Sequence, residues 1–214
     1  LLFLALLGMG AGAQNWALLN PAYKYNYSND GSDTISNQVF VTHIDTLGPD
    51  SFRYELNRIA ERCDTCWSYS TECSNGQGLI IDRPQFLGSS IRVSGSGSIL
   101  ECGIPLLVSA GAALGDTWTD ENGTTAWVLS VGTTNVFGQA DSVIRIGYSS
   151  GDTLWVSKDH GLMTFSGYST RSDLIGRQGP INEGAQFPTI IDFFNYTPGD
   201  ILQYEGSYSG TDGS

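Results

Sequence analysis

The sequence predicts an all-β chain: a bent antiparallel sheet, laid out as a meander or an incomplete barrel or sandwich, with long covering loops. Three observations lead there. Apolar and polar residues alternate over several short segments, the two-residue period of a strand with one wet face. Turn chemistry recurs between those segments, at Leu47-Gly48-Pro49-Asp50, Asn122-Gly123 and Ser150-Gly151-Asp152. Helical periodicity is confined to a turn or two around Asn57–Glu61, with Ser109–Leu114 as a small-residue alternative.

Taken in order, residues 1–13 (LLFLALLGMGAGA) carry no charge and end in Ala11-Gly12-Ala13 before Gln14. An apolar run closed by an A-x-A site reads as the remnant of a secretory signal peptide. The run is short for a bilayer, and nothing later reaches about 18 uninterrupted apolar residues, so no membrane span is expected. A β-rich domain is expected over 14–206. Val39–Ile44 and 51–57 pair through the Gly48-Pro49 turn, with Phe52, Tyr54 and Leu56 on one face and Arg53 and Glu55 on the other. Leu79–Asp82, Ile91–Val93 and Ile104–Val108 are short extended segments. The SGSGS stretch at 94–98 is a possible subdivision of the domain.

The second half repeats the theme. Asn122-Gly123 joins Asp116–Thr119 to the long run Thr125–Phe137, in which Trp127, Leu129 and Val131 share a face. Val143–Tyr148, Thr153–Lys158 and Gly161–Phe165 follow as a meander. Residues 166–200 are rich in Gly, Pro and Asn and read as wrapping loops, with a last strand at Ile201–Tyr204. Residues 207–214 read as a linker cut off mid-protein.

Charge narrows the partners. Ten Lys and Arg face 22 Asp and Glu, a net charge of −12 over 214 residues. A protein that tracks phosphates needs a basic face, so nucleic acid is not an expected partner. The four cysteines, Cys63, Cys66, Cys73 and Cys102, are an even number behind an export signal and are read as two disulfides. Three pairings are possible. The Cys63-x-x-Cys66 spacing also suits half a zinc site or a redox pair. It lacks the second close pair that zinc requires and the βαβ setting of a redox motif.

No constellation fixes a reaction, and no catalytic residue is assigned. His43 sits in strand alternation and His160 in a turn beside Asp159; there is no G-x-S-x-G elbow to go with them. With 22 acids, paired carboxylates of a glycosidase kind are guaranteed by number alone. Tyr23, Tyr25, Tyr27, Trp118 and Trp155 would form a sugar-stacking platform if exposed, and core or rim if not. Asn29–Asp33 and Asp120–Gly123 have the look of calcium loops but read equally as turns, because neither ends in a bidentate Glu. No metal or cofactor is expected. Asp before Ser or Thr, as at Asp141-Ser142-Val143, is read as turn chemistry leading into a strand.

The order of several segments carries a resemblance. Gln85-Phe86-Leu87-Gly88-Ser89-Ser90-Ile91 is followed by Leu114-Gly115-Asp116-Thr117-Trp118 and Phe137-Gly138-Gln139-Ala140-Asp141-Ser142-Val143. Ser157-Lys158-Asp159-His160-Gly161-Leu162-Met163-Thr164-Phe165 and Tyr196-Thr197-Pro198-Gly199-Asp200-Ile201-Leu202-Gln203-Tyr204 complete the series. Over about 15–204 the chain resembles uncharacterised secreted proteins of Bacteroidota, which often carry a C-terminal type IX secretion sorting domain. The resemblance implies a secreted or cell-surface location and a sorting domain beyond Ser214, and it implies no activity. In such bacteria an acidic residue, a hydroxyl residue and an aliphatic residue in succession serve O-glycosylation. Thr34 and Thr46 fit that pattern and are expected in exposed loops. The expected role is a non-enzymatic binding or structural module whose partner is an extracellular glycan or a protein at the cell surface. The alternative is an extracellular hydrolase or its carbohydrate-binding accessory part.

Overall fold

The computed structural model describes residues 16–29, 31–63, 79–101, 105–120, 122–167 and 171–188. The signal-peptide remnant, the expected strand at Ile201–Tyr204, the expected linker, and Cys66, Cys73 and Cys102 all lie outside them. So does the side chain of Cys63.

Among the described residues there is no helix. The strands, in chain order, are β1 (Lys24–Ser28), β2 (Asn37–Gly48), β3 (Ser51–Leu56), β4 (Ile59–Cys63), β5 (Leu79–Arg83), β6 (Ser90–Ser94), β7 (Gly97–Leu100) and β8 (Leu106–Ser109). They continue as β9 (Thr117–Thr119), β10 (Thr125–Val136), β11 (Gln139–Tyr148), β12 (Thr153–Ser157), β13 (Gly161–Ser166), β14 (Arg171–Gln178) and the two-residue β15 (Glu183–Gly184). All pairings are antiparallel, as short connections require. One sheet runs β8-β7-β6-β3-β2-β1-β14-β13-β12-β11-β10-β9, with β15 added beside β14; β4 and β5 form a separate hairpin.

Two meanders therefore meet where β1 pairs with β14. Neither seam strand was expected. In β1, Asn26 is buried along with Tyr25 and Tyr27, so both faces are covered and the two-residue period disappears. In β14 the buried positions are Ser172, Leu174, Gly176 and Arg177, which carry little apolar signal. This corrects the loop reading of 166–200 across Arg171–Gln178. The turn of helix around Asn57–Glu61 is also corrected: Ile59 begins β4. Ser94–Ser98 forms the turn between β6 and β7 and the start of β7, and Gly97 is indispensable there. With φ at +153° and a Cβ position 2.2 Å from the Val108 carbonyl oxygen, no side chain fits.

The sheet bends so that its two halves bury one core. Val39, Leu56, Ile91, Leu100 and Val108 from one half pack with Val128, Ile144, Ile146, Leu154, Val156 and Leu162 from the other. The sheet does not close. β8 and β9 share no ladder; instead Trp118 Nε1–H and the Tyr148 hydroxyl donate to the Leu107 carbonyl at 2.8 and 3.1 Å. The remaining opening is crossed by residues 16–19. Trp16 donates its backbone N–H to Ala110 and its indole N–H to Ala112, at 3.2 and 2.9 Å, and Leu162 N–H reaches the Leu18 carbonyl at 2.8 Å. Gly161 permits that approach, since a Cβ there would sit 2.4 Å from the Leu18 oxygen and φ is +76°.

Candidate functional site

Two groupings on β10–β12 hold chemistry-bearing side chains, an inner one that is buried and an outer one that is open to solvent. The inner one closes an end of the core. Asp141, the third residue of β11, is buried, and its Oδ2 gathers three donors. These are the Ser157 hydroxyl, His160 Nδ1–H at 2.7 Å and the Asp159 backbone N–H at 3.2 Å. The turn between β12 and β13 is tied in further by the His160 backbone N–H, which donates to Ser157 Oγ at 2.9 Å. Past it, His160 Nε2 lies 3.5 Å from Glu183 Oε2, an approach without a hydrogen bond. Arg177 Nε pairs with the same Glu183 oxygen, and its Nη1 donates to the Asp159 carbonyl at 2.7 Å. The Phe137 ring packs edge-on against the imidazole at 5.6 Å, held by a non-glycine backbone with φ of +49°.

The electrostatics make this a lock. Burial pushes the Asp141 carboxyl up, but hydrogen bonds from Ser157, His160 and Asp159, with the attraction of His160, outweigh it and hold the group below its ordinary value. An ionised carboxylate only accepts, so His160 Nδ1 carries a proton. Asp141 is thus a buried acceptor inside β11 and no turn-capping residue, which corrects the sequence reading. Ser157, Asp141 and His160 have the residue types of a hydrolytic triad in another geometry. Ser157 turns its hydroxyl to the carboxylate and is fully buried, and both groups crowd the same side of the imidazole.

The outer grouping lies further along the same face of these strands, since Asp141, Val143 and Arg145 share one side of β11 and pair with Ser157 and Trp155 on that side of β12. Trp127, Leu129 and Val131 of β10 are 37%, 41% and 38% exposed, and Trp155 of β12 is 40% exposed. The face of Trp127 and Leu129 is therefore the wet one; Ala126 and Val128 face the core, and after the bulge Val131 falls on the side of Ile144, which corrects the sequence stripe. A bulge between Val128 and Ser130 inserts one residue and resets the pattern. Gly147, opposite Trp127, serves as its floor: a Cβ there would lie 3.1 Å from the indole, so the ring lies over bare backbone. Next along, Ser130, Arg145 and Trp155 form one row across β10, β11 and β12, with Arg145 over the Trp155 ring at 5.4 Å. An open cleft of about 150 Å³ lies there, lined by Arg145, Trp155, Val143 and the β10 segment 130–134.

The other sequence candidates fall elsewhere. Tyr25 and Tyr27 are core residues, which corrects their place in a sugar platform. Burial pushes the Tyr25 phenol up to about 12, against the opposing hydrogen bond from the Asn20 N–H, and pushes Tyr27 well above its usual value. Trp118 is partly buried at the sheet opening, and Tyr23 lies under the Arg177 guanidinium at 4.5 Å. His43 is exposed on β2, 3.1 Å from Asp45. Asp120 Oδ1 accepts the N–H groups of Asn122 and Thr124, the turn alternative to a calcium loop. Among the described residues no group of His, Cys, Asp and Glu is arranged to hold a metal. Thr34 is exposed in a bend between β1 and β2. Thr46 is exposed too, but within β2, so its loop placement is corrected. Comparison with protein-family models, curated proteins and solved structures returns no match.

Proposed function

We propose that the chain is an exported, non-enzymatic binding module that presents the outer face of β10–β12 to a ligand at or beyond the cell surface. One observation carries this reading. Trp127 and Trp155 stand open to solvent on a flat sheet face, while the opposite face of the same strands is closed into the core. Exposed tryptophans are costly to hydrate and suit recognition of partly apolar ligands. The export half rests on the apolar leader with its A-x-A end and on the resemblance to secreted Bacteroidota proteins, with type IX sorting as the proposed route. Two disulfides among Cys63, Cys66, Cys73 and Cys102 belong to the same proposal. Binding is favoured over hydrolysis because the conspicuous acids of the interior, Asp141 and Glu183, are engaged by His160 and Arg177.

Expression in a type IX-secreting host tests it. The wild-type chain, carried in its full-length gene product, is expected on the outside of the cell and retained on washed envelopes. The Trp127→Ala/Trp155→Ala double variant is expected to be exported equally and lost to the medium. Equal retention of both would refute the outer face as the binding surface, and retention of wild type inside the cell would refute export.

A further inference from the structure

We infer that the cleft beside Arg145 binds a largely neutral polysaccharide bearing isolated uronic-acid residues, with the guanidinium taking one sugar carboxylate and the indoles stacking on neighbouring rings. The inference rests on the binding-module reading and names its ligand class. Its first support is the state of Arg145. Arg58, Arg92, Arg171 and Arg177 each lie within 3.1 Å of a carboxylate oxygen. Arg145 has no carboxylate partner among the described residues and lies over Trp155 instead. In a chain with 22 acids and 10 basic residues only Arg53 shares this state among the described arginines, and its unpartnered Nε is buried, whereas Arg145 lines an open cleft. Its planar fork matches a carboxylate in two parallel hydrogen bonds.

The walls fit a sugar. Ser130 and Thr134 place hydroxyls along one side, Gly132 between them adds no side chain, and Trp155 supplies an aromatic face. About 150 Å³ is small beside enclosed ligand pockets, and the cleft is open, as suits one ring of a chain that continues over the surface. Such a chain meets a second indole. Trp127 and Trp155 are two strands and two residues apart in the register, roughly 12 Å between their Cα atoms from ordinary sheet spacings. The charge balance sets the density of acid. At −12 the protein repels a polyanion, whereas one carboxylate among neutral sugars faces one local cation.

A peptide is the competing class of ligand. Beyond Val128 the outer edge of β10 has no ladder partner among the described residues, an arrangement that can accept an extended strand. The bulge at Val128/Ser130 bends that edge, and edge pairing would not use Arg145 or Trp155.

Affinity electrophoresis of the folded protein at low salt separates these, with glucuronoxylan and xanthan as probes beside their carboxyl-reduced forms. At least one native polymer is expected to retard the wild type about fivefold more strongly than its reduced form, the scale of one exposed charge pair. Arg145→Gln is expected to bring native-polymer binding down to the reduced-polymer level, with no further loss on reduction. Trp155→Ala is expected to remove binding to both forms. Equal binding of native and reduced polymers, or an unaffected Arg145→Gln, overturns acid recognition while leaving the binding module intact. No retardation by either native polymer overturns the glycan assignment. Loss of envelope retention upon substituting Pro at Thr133, with Arg145→Gln silent, overturns it in favour of strand addition.

Discussion

The two ends of one face of β10–β12 invert the usual pattern of exposed polar and buried apolar groups. At the covered end Asp141, His160 and, from β14, Arg177 are buried; at the open end Trp127, Leu129 and Trp155 face water. The inner groups spend their hydrogen-bonding capacity on one another and on the backbone of the β12–β13 turn. The outer groups make few such commitments. Buried polar groups that satisfy one another define structure, and exposed groups that satisfy nothing nearby are free for a partner. The comparison teaches that residue type alone would have misassigned both: the Ser, His and Asp set suggests chemistry, and the tryptophan stripe suggests core.

That contrast can be broken from the inside first. Replacing His160 with Ala takes a hydrogen-bond partner from the buried, ionised Asp141, and removing one member of such a buried pair costs about 3–5 kcal/mol. At this chain length the expected fall in melting temperature is about 6–20 °C by calorimetry. Asp141→Asn should cost about as much, and envelope retention at low temperature should survive in both. A comparable loss is expected for Leu154→Ala, a fully buried core side chain, at about 2–5 kcal/mol in chemical denaturation.

Gly161→Ala comes next. The new methyl group would strike the Leu18 carbonyl and occupy a left-handed backbone, so residues 16–19 should lift from the core edge. Hydrogen exchange should then quicken at Leu162, whose N–H bonds Leu18, before it quickens at β11.

Acidification sharpens the comparison. Asp141 is held below its ordinary value in the folded chain, so its contribution is complete above the unfolded value of about 3.9 and lost as pH falls through the lower folded value. Stability from denaturant melts should decline below about pH 4, and Asp141→Asn should flatten part of that decline. The smallest effect is expected at Arg145. Arg145→Gln removes an exposed charge and should shift stability by no more than about 0.5 kcal/mol.

Much of this fold was legible in the sequence, for a physical reason. The alternation of Phe52, Tyr54 and Leu56 marks β3, which brings Tyr54 and Leu56 to the core, and the turns at Gly123 and Gly151 have the positive φ that glycine supplies. β1 and β14 were opaque because each is covered on both faces or filled with small and polar residues. Trp127 and Leu129 of the outer face were visible in the stripe Trp127-Leu129-Val131, but alternation does not say which side is dry or that Val131 leaves it. Only the partner strands and the Val128/Ser130 bulge decide that. The inner cluster had no spacing signal, since Asp141 and His160 are joined by a hairpin register and Glu183 by β15.

The account turns on one division: structure in the buried cluster, recognition in the exposed row. The direct test is envelope retention of Trp155→Ala and Asp141→Asn side by side, at a temperature where both are folded. Trp155→Ala should lose at least about tenfold in affinity, equivalent to roughly 1.4 kcal/mol, while Asp141→Asn keeps wild-type retention. Loss of retention in Asp141→Asn with Trp155→Ala unchanged would contradict the division and place function in the buried cluster.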